Sequence, residues 1–152
     1  AQLDRFTMKL SVGYPAADYE TAMLAASVKN ESTLTESDPP AILAAGELEQ
    51  IQNTVSETRV GDNVQRYLVA LATASRNHSD IDAGLSPRGL LLWQRAAQAT
   101  AHLAGRDFVT PDDVQQVAFP VLAVRLDVEA ADSVNLITQL LESVEVPTEP
   151  TQ

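Results

Sequence analysis

A chain of 152 residues with a net charge of −11 suits one folded domain with at most a small appendage, and its lack of cysteine excludes disulfide frameworks and thiolate chemistry. At this length roughly 68–70% of the unfolded surface can be buried, so no covalent or metal staple is needed to fold. No apolar run approaches the roughly 20 residues of a membrane-spanning helix, no secretory leader opens the chain, and the cysteine usage fits a reducing, cytoplasmic setting.

The charge is unevenly spread. Residues 15–58 hold eight acids and only Lys29 as a base, and residues 127–152 hold six acids and no base. Between them, residues 59–126 carry seven arginines against six aspartates. Acidic flanks repel a phosphate backbone, which argues against nucleic acid as a partner.

The chain opens on Ala1 without an initiator Met, which reads as a start inside a longer chain. Phe6, Met8, Leu10 and Val12 alternate with polar residues, the period of a strand, yet the chain offers no second strand to pair with it. Gly13-Tyr14-Pro15 ends that segment. Residues 16–28 read as a helix with Tyr19, Ala22, Met23 and Ala26 on one face, residues 29–41 as a linker, and residues 45–57 as a second helix. Asp62, with Gln65 three residues on, predicts a capped start for a third helix striped by Val64, Tyr67, Leu68 and Leu71. Ser86-Pro87 predicts the start of a fourth helix, a capping hydroxyl followed by proline at the first helical position. That helix runs to about Ala104, where Gly105 stops it. Thr110-Pro111-Asp112-Asp113 opens a fifth in the same way, with a kink or break expected at Pro120. A last helix near 130–143 precedes a polar tail. The expected fold is all-α: a bundle of five or six helices, preceded by one strand that belongs to something else.

Four segments, in order, resemble the C-terminal part of the MoxR family of AAA+ ATPases. They are Ala1-Gln2-Leu3-Asp4-Arg5-Phe6 with its strand and Gly13-Tyr14-Pro15; Gly84-Leu85-Ser86-Pro87-Arg88-Gly89; Gly105 through Val114; and Leu140 through Pro147. The sequence departs from the family's pattern at Leu85 and Gly89, where alanine is usual, and at Val124-Arg125, where a His-Arg pair is usual. The resemblance implies that residues 1–14 end a truncated α/β nucleotide-binding core, that 15–146 form its helical lid, and that 147–152 are a flexible tail. It implies ATP and Mg2+ as cofactors of the parent protein, with neither held by this stretch alone. It implies rings, typically of six, in which the lid meets its own core and neighbouring subunits, and a von Willebrand A-type partner in a chaperone-like role in client maturation. Arg5 falls where the family has an arginine finger acting in trans. Arg88 falls at the sensor-2 position, preceded by Pro87 and the capping Ser86.

The chemistry suits those roles, because a guanidinium keeps its charge at any working pH and offers a planar fork of donors to phosphate. More ordinary readings are a solvated Arg5 paired with Asp4 and a surface Arg88, although a cation at the positive end of a helix dipole is slightly unfavourable. Arg106-Asp107 reads as a local ion pair, Asp112-Asp113 as capping acids and Trp93 as core. His78 and His102 lack further ligands at metal spacing, so no metal site is expected. The chain contains no Gly-x-x-x-x-Gly-Lys phosphate loop, because neither Lys9 nor Lys29 follows such a run. ATP hydrolysis by this stretch alone is therefore not expected. The rival from another class is a stand-alone acidic helical adaptor that binds proteins and no nucleotide.

Overall fold

The computed structural model describes residues 5–28, 40–126 and 133–148. Among them are seven helices: α1 (Ala17–Val28), α2 (Glu47–Glu57), α3 (Asp62–Asn77), α4 (Pro87–Leu103), α5 (Pro111–Gln116), α6 (Ala118–Leu122) and α7 (Ser133–Glu142). The fold is all-α. Its one β-type pairing is a single parallel bridge between Arg59 and Phe108, made by Arg59 N–H to Asp107 O (2.9 Å) and Val109 N–H to Arg59 O (2.9 Å).

The stripe on α3 does what its spacing predicts. Val64, Tyr67, Leu68, Leu71, Ala72 and Ser75 are all buried, and a fully buried Leu or Val contributes about 1.5–3 kcal/mol. They pack on Trp93, Ala96, Ala97 and Ala101 of α4, on Val114 of α5, on Val121 and Leu122 of α6, and on Leu136, Ile137 and Leu140 of α7. Trp93 is fully buried, and its indole Nε1–H donates to Val114 O at 2.9 Å, so its polar edge is satisfied inside the core.

Three local expectations are corrected. The cap of α3 is Gly61, not Asp62: Gly61 has extended geometry (φ −67, ψ 154), its carbonyl accepts from Gln65 N–H at 3.0 Å, and Asp62 is the first helical residue. The fifth helix breaks at Val117 (φ −96, ψ 3), one turn before Pro120, which makes two helices of it and gives seven where five or six are expected. The reason is steric: proline cannot donate to the carbonyl four residues back and its ring collides there, so the fault falls near Gln116, while Pro120 sits in the first turn of α6 where an N–H is dispensable. Arg106 pairs with Asp113 rather than Asp107, which instead pairs with Arg59 at 3.2 Å.

The strand expected over residues 5–12 does not form, since that segment finds no pairing partner among the described residues, whereas the remaining helix signals are followed. α4 ends in a Schellman motif, with Gly105 at φ 74, Gly105 N–H on His102 O and Arg106 N–H on Ala101 O. α1 forms over its expected span, but none of its residues is buried. Along the leading segment Leu10 and Val12 are exposed and only Met8 packs against the core. The expected linker lies largely in 29–39, outside the described residues, as do the start of the last expected helix and the end of the tail.

The turn between α4 and α5 is held by charge. Arg106 grips Asp113 with two hydrogen bonds of 2.7 and 2.6 Å, and the Thr110 N–H and hydroxyl donate to the same carboxylate at 2.8 and 2.9 Å. Burial pushes the Asp113 carboxyl up, but the Arg106 and Thr110 hydrogen bonds together outweigh it and hold it below its ordinary value. A carboxylate depressed in the folded state stabilises fully above its unfolded pKa of about 3.9, and that stability is lost as pH falls through the folded value. Asp113→Asn is expected to destabilise by roughly 3 kcal/mol at neutral pH, as loss of one partner of a largely buried pair does. It should also flatten the fall in stability below about pH 4; denaturant titrations at a series of pH values check both, and an unchanged acid limb would contradict the assignment.

Candidate functional site

The start of α4 is fixed from three sides. Buried Ser75, on the last turn of α3, accepts from Leu85 N–H at 3.0 Å, and Arg76 Nε donates to Leu85 O at 2.8 Å. Gly84 passes so close to α3 that a Cβ there would sit 2.4 Å from the Arg76 Cα, so only glycine fits. Leu85 then plugs into the core, 1% exposed. Ser86 caps the helix, its Oγ accepting from Gly89 N–H at 3.0 Å, and Pro87 occupies the first helical position. Arg88 follows in the first turn, exposed, its side chain without an ion pair or hydrogen bond to the described residues. The first turns of α1, α2, α3 and α5 carry acids, whereas those of α4, α6 and α7 carry none.

Arg5 is also exposed, with its guanidinium 5.4 Å from the centre of the Phe6 ring. The residues after it are bound to the helical unit. Lys9 N–H donates to Pro120 O at 2.8 Å, and Met8 packs on the core. Arg125 Nη1 donates to Thr7 O at 2.9 Å and to Val121 O at 2.7 Å, while Nη2 donates to Phe6 O. The Arg125 stem lies against Gly89, where a Cβ would be 2.9 Å from Arg125 Cδ and 2.6 Å from Leu85 Cδ1. Arg5 and Arg88 thus stand one contact either side of Arg125, joined through Phe6 and Thr7 on one hand and Gly89 on the other.

Sequence reasoning gave no role to Arg125 or Gly84 and did not single out Ser75 or Gln98. Gln98 is buried in α4, and its Nε2 donates to Thr58 O at 2.7 Å, which holds the end of α2. A Gln or Ser on an apolar helix stripe, and a Gly two residues before a cap, are the signals that could have raised them. His78 is a turn residue, its Nδ1 accepting from Asp80 N–H at 3.2 Å.

Comparison with known proteins fits this geometry. Residues 73–144 match the AAA lid domain family model, a stretch containing α4 to α7, Arg88 and Arg125. Residues 73–144, from the end of α3 through α7, are thus AAA lid-like. The chain is 30% identical to Chaperone MoxR1 of Mycobacterium tuberculosis, over 97% of this chain and 42% of that protein. It is 34% identical to Protein MoxR of Paracoccus denitrificans, over 83% and 42%, and 33% identical to the uncharacterized protein YeaC of Bacillus subtilis, over 97% and 47%. A crystal structure of a candidate ATPase from Cytophaga hutchinsonii superposes with a TM-score of 0.77 at 22% identity, covering 97% of this chain and 48% of that one. The chain is a MoxR-like AAA+ sequence, and it spans less than half the length of these relatives.

Leu85 and Gly89 are matched in size: a methyl at 89 would sit 2.6 Å from Leu85 Cδ1 and 2.9 Å from Arg125 Cδ, so it has no room beside them. Gly89→Ala alone is expected to destabilise by about 1–3 kcal/mol through overpacking, and Leu85→Ala alone by about 2–5 kcal/mol through a cavity. The double variant should recover part of that loss, with a coupling on the order of 0.5–3 kcal/mol in a denaturant-measured double-mutant cycle; strict additivity would contradict the compensation.

Proposed function

We propose that this chain supplies the nucleotide-sensing lid of a ring-forming MoxR-type ATPase that acts in the cytoplasm as a chaperone for client maturation. The observation that carries the reading is Arg88: an exposed guanidinium without a side-chain partner among the described residues, in the acid-free first turn of a helix that is itself rigidly held, within the AAA lid-like stretch. In a chain of net charge −11 that is a place prepared for an anion. The name Chaperone MoxR1 of one relative adds the chaperone-like role.

On this reading residues 1–14 close a nucleotide-binding core, residues 15–146 are the lid, and ATP with Mg2+ lies between them. The bound nucleotide supplies a γ-phosphoryl group for transfer to water, and Mg2+ neutralises its charge. Arg88 donates to the γ-phosphate of its own subunit, its reach set by the Ser86 cap and by Pro87. Arg5 projects into the neighbouring subunit of a six-membered ring and stabilises charge on the transferring oxygens, a role worth about 10³–10⁵ in turnover. A von Willebrand A-type protein is the expected partner in client handling.

Arg88→Ala in the full-length protein is expected to lower ATP turnover while leaving the thermal midpoint unchanged, because the exposed side chain makes no ion pair or hydrogen bond among the described residues. Turnover at the wild-type level would remove the sensor assignment. Arg5→Ala subunits, inactive alone, are expected to regain part of their turnover when mixed with subunits whose phosphate loop is disabled, since an intact finger then meets an intact phosphate grip. Absence of rescue in rings shown to be mixed would argue against action in trans.

A further inference from the structure

Arg125 has no part in the roles given so far, yet its side chain touches both the segment after Arg5 and the residue after Arg88. Its guanidinium donates to the carbonyls of Phe6 and Thr7, and also to Val121 O at the end of α6. Its stem fills the space that a side chain at position 89 would occupy. A lysine could not serve the same acceptors, because a single ammonium lacks the planar fork that reaches carbonyls on two segments at once. The neighbouring backbone bond from Lys9 N–H to Pro120 O closes a second link between the same two stretches.

We propose that Arg125 is a positioning residue that clamps the Arg5 segment, the end of the core on that reading, against the lid, so that the placement of Arg5 follows the position of the lid. This rests on the reading of Arg5 as a finger in trans and Arg88 as a sensor in cis. A lid whose angle follows the nucleotide state at Arg88 then pulls on the segment that bears Arg5 and shifts Arg5 toward or away from the neighbour's nucleotide. The coupling is physical contact through one side chain, between the segment of Phe6 and Thr7, 119 and 118 residues away from it in sequence, and the start of α4. Gly89 belongs to the same device, because only a residue without Cβ leaves the Arg125 stem its place beside Leu85.

Arg125→Met keeps the stem against Gly89 and removes the clamp, and Arg125→Lys keeps stem and charge but not the fork. Two measurements test the proposal. In the chain as described, hydrogen exchange at the Lys9 amide should lose its protection in Arg125→Met, while the amides of Leu68 and Leu71 in α3 stay protected. In full-length rings, kcat should fall by about tenfold or more, toward the roughly 10²-fold that a 1 Å misplacement costs, with KM for ATP little changed. The lost turnover should return on mixing with phosphate-loop-disabled subunits, as for Arg5→Ala, because the defect lies in the finger a subunit gives and not in the site it owns. Arg125→Lys should behave as Arg125→Met does.

Unchanged Lys9 exchange overturns the proposal, and so does a loss of turnover that mixing fails to rescue while Arg5→Ala is rescued. General unfolding of Arg125→Met would show as exchange across α3, and Arg125→Lys then decides by the same criteria. If Arg5→Ala costs no turnover, the finger reading is what fails. The clamp is then judged on Lys9 alone, upheld by lost protection and overturned by retained protection.

Discussion

The burial of α4 is the constraint on which the rest of this structure depends. It is touched by α2, α3, α5 and α6. That many neighbours can approach one helix only if most of its inward residues are small, and Ala96, Ala97 and Ala101 provide this. Trp93 is the exception that fills the remaining volume, and its indole N–H is tied to the α5 backbone so that the largest core side chain also fixes a helix position. Gln98 does the same toward α2 with its amide. The helix that carries Arg88 is therefore packed on several sides, which suits the sensing role proposed for that residue.

Both ends of α4 are determined by backbone demands rather than by hydrophobic burial alone. At its start, the approach of Gly84 to α3 and the two hydrogen bonds to Leu85 leave the chain one path into the Ser86 cap. At its end, left-handed Gly105 turns the chain back so that Arg106 meets Asp113. That pair is 30% and 2% exposed at its two side chains, so the carboxylate is desolvated and depends on its donors. By contrast Arg59 and Asp107 pair in the open and contribute little, although the backbone bridge beside them joins the end of α2 to the strand-like turn after α4.

Much of this was legible in the sequence because helix stripes and caps are local. The spacing of Val64, Tyr67, Leu68 and Leu71 and the Ser86-Pro87 and Gly105 signals each depend on residues within a few positions. Asp62 misled because an acid near a helix start serves either as a cap or as a dipole partner, and Gly61 took the cap. Pro120 misled by one turn because its effect falls on the carbonyl four residues back. The partner of Arg106 was misassigned because a neighbour in sequence competes with Asp113, which the α4–α5 turn brings closer. Arg125 was not legible as a link at all: the acceptors that make it one, Phe6 O and Thr7 O, are more than a hundred residues away, and carbonyls leave no mark in a sequence. The alternation of Phe6, Met8, Leu10 and Val12 was read as a strand, yet only Met8 finds the core. Its other apolar residues, like Tyr19, Met23 and Leu24 of α1, are exposed among the described residues.

The proposed sensing role requires a nucleotide gripped elsewhere in the same chain. The most direct measurement is to sequence the coding region upstream of residue 1. That role predicts a glycine-rich phosphate loop ending in Lys-Ser or Lys-Thr, followed by a strand ending in paired acids for Mg2+, within the length by which the MoxR relatives exceed this chain. A start codon at or just before residue 1, with no such loop, would contradict it and leave an acidic helical unit with two exposed arginines and nothing for them to sense.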